Sequence, residues 1–440
     1  MPEQTVLIIG EVFIDTHLDI IDENGPLVRL GGVFHSARAF ASLGLNYVLA
    51  YYAPAYLDDD INKWSLNLNT KGCYKLGNIN KAPNIMLVNE SKEAGDQGYY
   101  NILKDQAEYT NLESIKDIIG IVNPTDILFF PGRYDTSEIM RDLSEFVGKI
   151  HIDFHYDIDH ILDGIDRKIE SIILSTSSAF FKDTCGGTLE GLLEYFKNYE
   201  IYQFLIKENR GGSFCYFPAE DKRYETASYY VPTMHSVGVG DVYNSIFIST
   251  LFETDVAKRM KLAALCSAKY AETMNYKKFK ENAQLVYANI NEFKELVGIR
   301  LPWSERKRIN IYLAAPDFPC IDTSILDRLN ECLLYHNFSP RLPVRENGIA
   351  SKALRYDNEL TIYRKDVALL DECSLLIAVL LYNDPGTLVE LGMFKQAGKP
   401  TIVFDPFNYC ENMFVRHTPD YICKSLADVI GAVYLCMGRR

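Results

Sequence analysis

Three carboxylates near the C-terminal end of the chain could carry out bond-breaking chemistry. Asp366 precedes an apolar run, 375–382, and Asp384 and Glu390 follow it. The run is short and rich in branched residues, which predicts a buried strand of a parallel sheet. The residues 384–387 (Asp-Pro-Gly-Thr) predict a turn and a helix N-cap at the carboxyl end of that strand, where ligands bind in open α/β sheets. We expect Glu390 on the first helical turn, where the helix dipole favours an ionised carboxylate that can act as a nucleophile; ordinary helix capping is the alternative.

Further motifs flank these carboxylates in a fixed order. Tyr312 lies in an apolar run, 309–313, that predicts a first strand, while 398–404 predicts the next buried strand and Asn412 follows it. Together with the carboxylates, these motifs resemble the nucleoside 2-deoxyribosyltransferase family over residues 309–412.

The resemblance implies a glycosyl transfer by double displacement. Glu390 would attack the anomeric carbon of a deoxynucleoside, the base would leave, and a second base or water would take the sugar. Asp366 and Asp384 would hold sugar hydroxyls and handle the proton of the base. Tyr312 and Asn412 would orient the nucleophile or the sugar. This domain would need no cofactor, and the family usually completes its site with a neighbouring subunit, so a homo-oligomer is expected.

Two positions depart from the family pattern. Ser374 stands where many members carry an acidic residue, and Ala315 replaces the glycine that is common after the first strand. Both leave substrate choice open.

Length and composition indicate a globular protein with more than one domain. A chain of 440 residues exceeds what one core usually supports. Its 45 Lys and Arg residues against 59 Asp and Glu residues give a net charge of -14, which argues against a general binder of nucleic acid or anionic membranes. The absence of a long apolar stretch and of a basic N-terminal start predicts a cytoplasmic protein. Ten cysteines without a C-x-x-C pair predict reduced thiols.

Strands and helices alternate along the first 300 residues, which predicts a doubly wound parallel sheet. The predicted strands include 6–10, 47–53, 126–130, 149–154, 171–175 and 202–206, and 33–43 is a predicted helix. Two extended stretches, 16–30 and 83–102, predict a small β lid. A proline and a basic run predict a solvated linker at 299–308. The predicted architecture is therefore two α/β domains, a larger one at 1–298 and a smaller flavodoxin-like or Rossmann-like one at 309–440.

A glycine-rich motif at 238–241 (Gly-Val-Gly-Asp) precedes an apolar helix of the first domain. Two glycines allow close approach of the backbone to a ligand, and the free amides of a helix N-terminus form an anion site. Asp241 could act there as a base toward a substrate hydroxyl while the amides neutralise a transferred phosphoryl group. A helix cap is the alternative.

The alternation of His151, Asp153 and His155 along one predicted strand would place their side chains on one face. A half-buried strand with hydrogen-bonded histidines is preferred over a metal site, because no second ligand cluster appears in the sequence. No metal ligand is therefore assigned.

The motif at 238–241, Asp15 after the first strand and the Gly31-Gly32 pair before a helix together resemble the ribokinase-like PfkB family of sugar and nucleoside kinases, over residues 4–298. The resemblance implies that Asp241 is the catalytic base and that ATP and Mg2+ are the cofactors if the domain is active. The implied binding groups are the amides of Gly238, Val239 and Gly240 as an anion hole, and Asp15, Gly31 and Gly32 for sugar hydroxyls.

The first domain also departs from its family. The Asn-x-x-Glu motif that organises magnesium falls near 175–178, where neither residue is present. The nucleotide-binding Thr-x-Gly-x-x-Gly turn falls at 207–212 and keeps only the last glycine, and His35 stands in place of a sugar-binding Asn. Kinase activity and a weakened site that serves as a ligand sensor or scaffold both stay open.

The sequence thus predicts a fusion protein that acts on a nucleoside, a nucleotide or a sugar. The C-terminal domain would cleave or exchange an N-glycosidic bond, and the N-terminal domain would phosphorylate a sugar or nucleoside. The alternatives are a glycosidase or transferase with a ligand-sensing kinase-like domain, and a kinase with a C-terminal nucleotide-binding module. The base, the sugar, the need for a 5′-phosphate and the acceptor are left undetermined.

Overall fold

The computed structural model describes residues 3–439 except 24, 155–161, 163–166, 253, 294–295 and 350–355. The chain divides into two compact units. The first unit comprises Met1–Lys92 and Gln97–Gly298, and the second comprises Glu93–Asp96 and Ile299–Arg440. Each unit is an α/β fold built around a largely or wholly parallel sheet, which confirms the predicted fold class.

The first unit is built on a ten-stranded sheet of described residues. The strands of the first unit are β1 (Thr5–Glu11), β2 (Ile14–Asp22), β3 (Gly25–Leu30), β4 (Asn46–Ala53), β5 (Cys73–Asn80), β6 (Ile85–Val88), β7 (Tyr100–Asn101), β8 (Glu108–Asn111), β9 (Asp126–Phe129), β10 (Lys149–Asp153), β11 (Ile169–Ser175), β12 (Ile201–Lys207), β13 (Ser213–Phe217), β14 (Lys222–Thr226) and β15 (Ser228–Tyr229). Of these, β2, β3, β6 and β7 form a separate sheet, and β15 pairs with a later strand. The parallel part has the order β12-β11-β10-β9-β1-β4-β5, and antiparallel strands extend both edges. The order changes direction at β1, which makes its carboxyl end a site where ligands bind in such sheets.

The helices of the first unit are α1 (Val33–Ser42), α2 (Asp58–Asn67), α3 (Ile115–Val122), α4 (Thr136–Leu143), α5 (Leu189–Tyr195), α6 (Val239–Ile248), α7 (Val256–Ala271) and α8 (Tyr276–Ala288). The predicted lid is a separate four-stranded sheet in the order β3-β2-β6-β7. Its β2 and β3 strands pair antiparallel, and β2 carries the buried polar side chains of Asp15 and His17.

The second unit contains a five-stranded, wholly parallel sheet in the order β18-β17-β19-β20-β21. The remaining strands are β16 (Gly298–Ile299), β17 (Asn310–Ala314), β18 (Ser339–Arg341), β19 (Leu375–Val379), β20 (Thr401–Phe404) and β21 (Tyr421–Cys423), and the helices are α9 (Trp303–Arg306), α10 (Ser324–Tyr335), α11 (Pro343–Asn347), α12 (Tyr356–Glu372), α13 (Pro385–Gln396), α14 (Met413–His417) and α15 (Leu426–Met437). Every residue of β19 is buried, as expected for a central parallel strand covered on both faces.

Residues 299–308 do not form the predicted solvated linker. They lie in the second unit, where Arg306 is fully buried on α9. Arg306 Nε donates to the Leu301 carbonyl at 3.1 Å, and its guanidinium lies over the rings of Trp303 and Tyr434 at 5.4 and 5.1 Å. The delocalised guanidinium is weakly hydrated and stacks on aromatic faces, so one cation of the basic run is buried in the unit.

No helix in the described parts of the chain has the length and apolar character needed to cross a membrane. All ten cysteines carry free thiols.

Candidate active site

A hydrogen bond between Tyr312 and Glu390 forms the centre of the candidate site in the second unit. Tyr312 lies on β17 and is fully buried, and its hydroxyl donates to Glu390 Oε1 at 2.7 Å. Glu390 lies on α13, which Asp384 caps by accepting the Thr387 amide at 2.8 Å and the Thr387 hydroxyl at 2.9 Å, both on Oδ2. The predicted N-cap is confirmed, and it uses one oxygen of Asp384.

The expected position and ionisation of Glu390 need correction. Because α13 begins at Pro385, Glu390 lies on the second turn, beyond the reach of most of the dipole effect. Burial raises the pKa of Glu390 to about 7. The hydrogen bond from Tyr312 lowers this pKa, and the negative charges of Asp366 and Asp384 raise it. Desolvation therefore outweighs the favourable interactions, and Glu390 titrates near neutral pH.

Asp366 lies on α12, where burial raises its pKa, and its Oδ1 accepts a hydrogen bond from Asn347 Nδ2 at 2.8 Å. Asn347, the last residue of α11, was missed by sequence analysis because nothing in its local pattern distinguishes it. The structure thus brings together Tyr312, Asp366 and Glu390 from three elements, together with Asp384 at the helix start.

Asn412 is the predicted site residue that the structure does not bring to these carboxylates. It is exposed and caps α14, where its Oδ1 accepts the Phe414 amide at 2.8 Å. The local sequence sets this cap, since Asn is among the preferred N-cap residues.

A cavity of about 270 Å³ lies beyond the carboxyl ends of β19 and β20. Its walls are Cys320, Ile321, Asp322, Ser324, Ile325, Leu381, Tyr382, Phe407 and Tyr409. Tyr382, two residues before the helix cap Asp384, forms part of one wall, and burial and then the charge of Asp384 raise its pKa. The fully buried Asp405 holds one wall by accepting the Tyr409 and Cys410 amides at 2.7 and 3.1 Å. Sequence analysis missed this aromatic cavity, because its walls come from distant segments.

In the first unit, the glycine motif forms the N-terminus of α6. Gly238 caps the helix with φ 73°, a left-handed conformation that favours glycine, and Asp241 lies on the first turn. Burial raises the pKa of Asp241 to about 7, and Asp153 contributes in the same direction, while Lys207 lowers it. An Asp with this pKa is suited to general base catalysis near neutral pH.

A lysine lies against the first turn of the same helix. Lys207, at the end of β12, donates from Nζ to Asn244 Oδ1 at 2.9 Å and lies 3.4 Å from Asp153 Oδ2, and a Cβ at Gly240 would be 3.2 Å from Nζ. Asn244 Nδ2 also donates to Asp153 Oδ2. The cation beside the predicted anion hole is thus the ammonium group of Lys207. In the sequence, Lys207 was noted only because it replaces the threonine of the family's nucleotide-binding turn.

The residues at 175–178, where the family's Asn-x-x-Glu motif falls, offer no carboxylate to the expected magnesium ion. Near 175–178 the side chains are hydroxyls bonded locally, with Ser175 Oγ donating to Asn209 and Ser178 Oγ to the Ser175 carbonyl. Across the described residues, no group of three His, Cys, Asp or Glu side chains is arranged to hold a metal. Of the three amides predicted to form the anion hole, that of Val239 already donates to the Ser236 carbonyl at 3.2 Å.

The alternating residues of β10 are hydrogen-bonded within the sheet. His151 Nδ1 lies 2.9 Å from Ser171 Oγ and Nε2 lies 3.3 Å from Asp126 Oδ1, whereas Asp153 contacts Lys207. His155 lies outside the described residues.

Asp15 lies next to Gly31, and its carboxylate is already paired within the unit. His35 Nε2 lies 3.0 Å from Asp15 Oδ2, and Arg29 Nε lies 3.8 Å from the same oxygen. A Cβ at Gly31 would approach Asp15 Oδ1 to 2.2 Å, and Gly32 caps α1 with φ 60°, so glycine is required at both positions. Sequence analysis missed Arg29. Its position in the predicted lid, two residues before the glycine pair, could have indicated that it lies near the predicted sugar-binding residues.

The fold of the first unit is that of the ribokinases. The chain is similar to the structure of ribokinase from Giardia lamblia, with a TM-score of 0.50 and 12% identity over 65% of this chain and 99% of that one. It is also similar to the tetrameric inhibited form of phosphofructokinase-2 from Escherichia coli, with a TM-score of 0.50 and 11% identity over 66% of this chain and 100% of that one. At these identities the similarity shows the fold alone.

In the second unit, residues 311–416 match the family model described as nucleoside 2-deoxyribosyltransferase. A comparison with curated protein sequences gave no match. The chain therefore joins a ribokinase-like unit to a nucleoside 2-deoxyribosyltransferase-like domain, which confirms both resemblances seen in the sequence.

Proposed function

We propose that the second unit cleaves or exchanges the N-glycosidic bond of a nucleoside or nucleotide, with Glu390 as the nucleophile. The observation that carries the proposal is the hydrogen bond from the buried Tyr312 hydroxyl to Glu390 Oε1, in a cluster with Asp366 and Asp384. The bond orients the carboxylate and leaves its second oxygen free to attack. The match of this segment to the deoxyribosyltransferase family supports the same chemistry.

The reaction proceeds by two displacements at the anomeric carbon. Ionised Glu390 forms a bond to that carbon as the C–N bond breaks, and the departing base takes a proton. Asp366 is the candidate donor, because burial raises its pKa and favours the protonated form. Oδ1 of Asp384, which does not take part in the helix cap, can accept a hydrogen bond from a sugar hydroxyl. Water or a second base then attacks the glycosyl ester and releases Glu390, so no cofactor is needed.

The cavity beyond β19 and β20, whose wall residue Tyr382 is close in sequence to Asp384, is the proposed site for the base. Tyr382, Phe407 and Tyr409 provide aromatic surface, and Asp322 and Ser324 provide polar groups at its wall. A flat, partly apolar heterocycle with hydrogen-bonding edges matches such a lining.

In Tyr312→Phe, the loss of nucleobase-releasing activity at low pH is expected to begin at a higher pH than in the unchanged protein. Activity requires ionised Glu390 and is lost as pH falls through its pKa, which is about 7. Because the Tyr312 hydroxyl lowers that pKa, its removal raises the pKa further, by about one to two units for a hydrogen bond to a charged group. The measurement is the pH dependence of kcat/KM for base release.

Tyr363→Phe is the matched control, since Tyr363 is an exposed residue of α12. Its profile should coincide with that of the unchanged protein. A Tyr312→Phe profile with the same or a lower midpoint would contradict the proposed role of the hydroxyl.

A second candidate function belongs to the first unit, which we propose transfers a phosphoryl group from ATP to a sugar or nucleoside, with Asp241 as base. The pKa of about 7 for Asp241 beside the glycine amides favours it. The hydroxyls near 175–178 and the ammonium of Lys207 favour the alternative, a ligand-sensing unit beside an active transferase or glycosidase. The third alternative, a kinase whose second unit only binds nucleotides, is opposed by the carboxylate cluster around Glu390.

A further inference from the structure

Two arginines of the first unit have little exposed side chain and only one ion-paired carboxylate between them. Arg38 on α1 is buried and the side chain of Arg29 on β3 is 9% exposed, and Asp15 forms an ion pair with Arg29 at 3.8 Å. Arg38 forms no ion pair in the described part of the chain; its guanidinium lies over the Trp64 ring at 5.9 Å. The chemistry proposed above uses neither arginine, and a buried cation without a counter-charge is costly.

His35 does not add to this positive charge. Its Nε2 lies 3.0 Å from the Asp15 carboxylate and therefore carries the proton, while its Nδ1 lies 2.8 Å from the Tyr270 hydroxyl and accepts from it. One proton on the ring is sufficient for both contacts. Burial lowers the pKa of His35 to about 4, so the neutral ring persists at physiological pH.

His235 is neutral for a similar reason. Its Nε2 lies 3.2 Å from the Thr273 carbonyl, to which it donates, and its Nδ1 accepts from Arg29 Nη2 at 3.3 Å. Burial lowers the pKa of His235 well below its ordinary value. Arg29 Nη2 also donates to the Val237 carbonyl at 3.0 Å, whereas Arg29 Nε has no hydrogen-bond partner.

His17 leaves a buried acceptor unpaired. Ser91 Oγ donates to Asp19 Oδ1 at 2.5 Å, so the contact of 2.7 Å between His17 Nδ1 and Ser91 Oγ has His17 as the donor. The other ring nitrogen, Nε2, then carries a lone pair and has no partner, although the residue is fully buried. Burial lowers the pKa of His17 to about 4, which keeps this nitrogen an acceptor.

We call Arg29, Arg38, Asp15, His17, His35 and His235 the arginine–histidine cluster, in which Arg38 is included because the charges of Arg29 and Asp15 act on it. The cluster holds two guanidinium groups, one buried carboxylate and three neutral imidazoles, so its buried part carries an excess positive charge; the nearby Asp19, which contacts His17 through Ser91, is exposed. Arg29 Nε and Arg38 Nη1 are donors without a hydrogen-bond partner, and His17 Nε2 and Asp15 Oδ2 are acceptors without one. An oxyanion would compensate the charge and use the donors, and hydroxyls would satisfy the acceptors.

We propose that the arginine–histidine cluster binds a sugar that carries an acidic group, as a phosphate ester or a carboxylate. The inference names the ligand class of the first unit and rests on that unit binding a sugar, whether or not it transfers phosphate. Cleavage of the N-glycosidic bond of a nucleotide by water yields a pentose phosphate, so a reaction of the class proposed for the second unit can supply such a ligand.

Isothermal titration of the full chain with D-ribose 5-phosphate, D-ribonate and D-ribose tests the proposal without ATP. At least one of the two acids is expected to bind about tenfold or more tightly than the neutral sugar, and the tighter of them identifies the acidic group. Arg29→Gln should remove that difference, while Arg29→Lys should retain part of it. Equal affinities for all three sugars, no binding of any, or an unchanged preference in Arg29→Gln would overturn the proposal.

Two further variants separate charge from folding. Arg133→Gln removes an exposed arginine that pairs with Asp105, and should leave the affinities unchanged. Asp15→Asn removes the negative charge of the cluster, so the affinity of this variant for inorganic phosphate should be higher than that of the unchanged protein. Arg29→Gln removes a positive charge, so its affinity for inorganic phosphate should be lower. A misfolded protein cannot bind more tightly, so a fall in Asp15→Asn would also overturn the charge argument. Absence of ATP consumption would reject the kinase function and leave this binding result intact.

Discussion

Glu390→Gln is expected to reduce base release from nucleosides or nucleotides by about 10³-fold or more, because glutamine preserves the shape of the side chain but removes the nucleophile. Binding of the substrate should change little, so the loss should appear in kcat. The measurement is the initial rate of free base formation, followed by chromatography and mass spectrometry over a panel of nucleosides and their 5′-phosphates. The substrate with the largest kcat/KM also identifies the sugar and the need for a phosphate.

Glu359→Gln provides the matched control, since Glu359 is an exposed residue of α12 and should be replaceable without effect. Rapid quenching of the unchanged protein should trap a glycosyl adduct on the peptide that contains Glu390, and the adduct should be absent from Glu390→Gln. Base release that persists in Glu390→Gln would reject this residue as the nucleophile.

Asp241→Asn is expected to lower sugar-dependent or nucleoside-dependent ATP consumption by about 10²- to 10⁴-fold, the range for loss of a general base. In the unchanged protein this activity should increase as pH rises through about 7, because only ionised Asp241 can accept the proton of the substrate hydroxyl. The variant should lose that dependence. The measurement is ADP formation over a panel of sugars and nucleosides at several pH values.

The exposed Asp183 supplies the control substitution, Asp183→Asn, which should leave ADP formation unchanged. Equal rates in Asp241→Asn and the unchanged protein would reject Asp241 as the base. If the unchanged protein consumes no ATP with any acceptor, the kinase candidate fails and the ligand-sensing alternative is retained.

Most of the architecture could be predicted from the sequence because the signals are local. The apolar run at 375–382 is followed by turn-forming residues, and a short run rich in branched residues is typical of a buried parallel strand. The turn at Asp384 predicts its own helix cap, because the capping groups lie three residues apart. The prediction of a solvated linker at 299–308 was wrong, because composition alone does not show that Arg306 contacts aromatic rings in the tertiary structure.

The sequence by itself determined the chemical groups of both sites and the folds that present them, since residue identity, motif order and hydrophobic pattern are local properties. Only the tertiary structure decided which groups meet and which protons they hold. Tyr312 reaches Glu390 across 78 residues, and burial then raises the pKa of that carboxylate where the helix dipole alone predicted ionisation. Arg29 and Arg38 likewise form one positive cluster only after folding, because desolvation and charge separation depend on distances that no linear pattern contains.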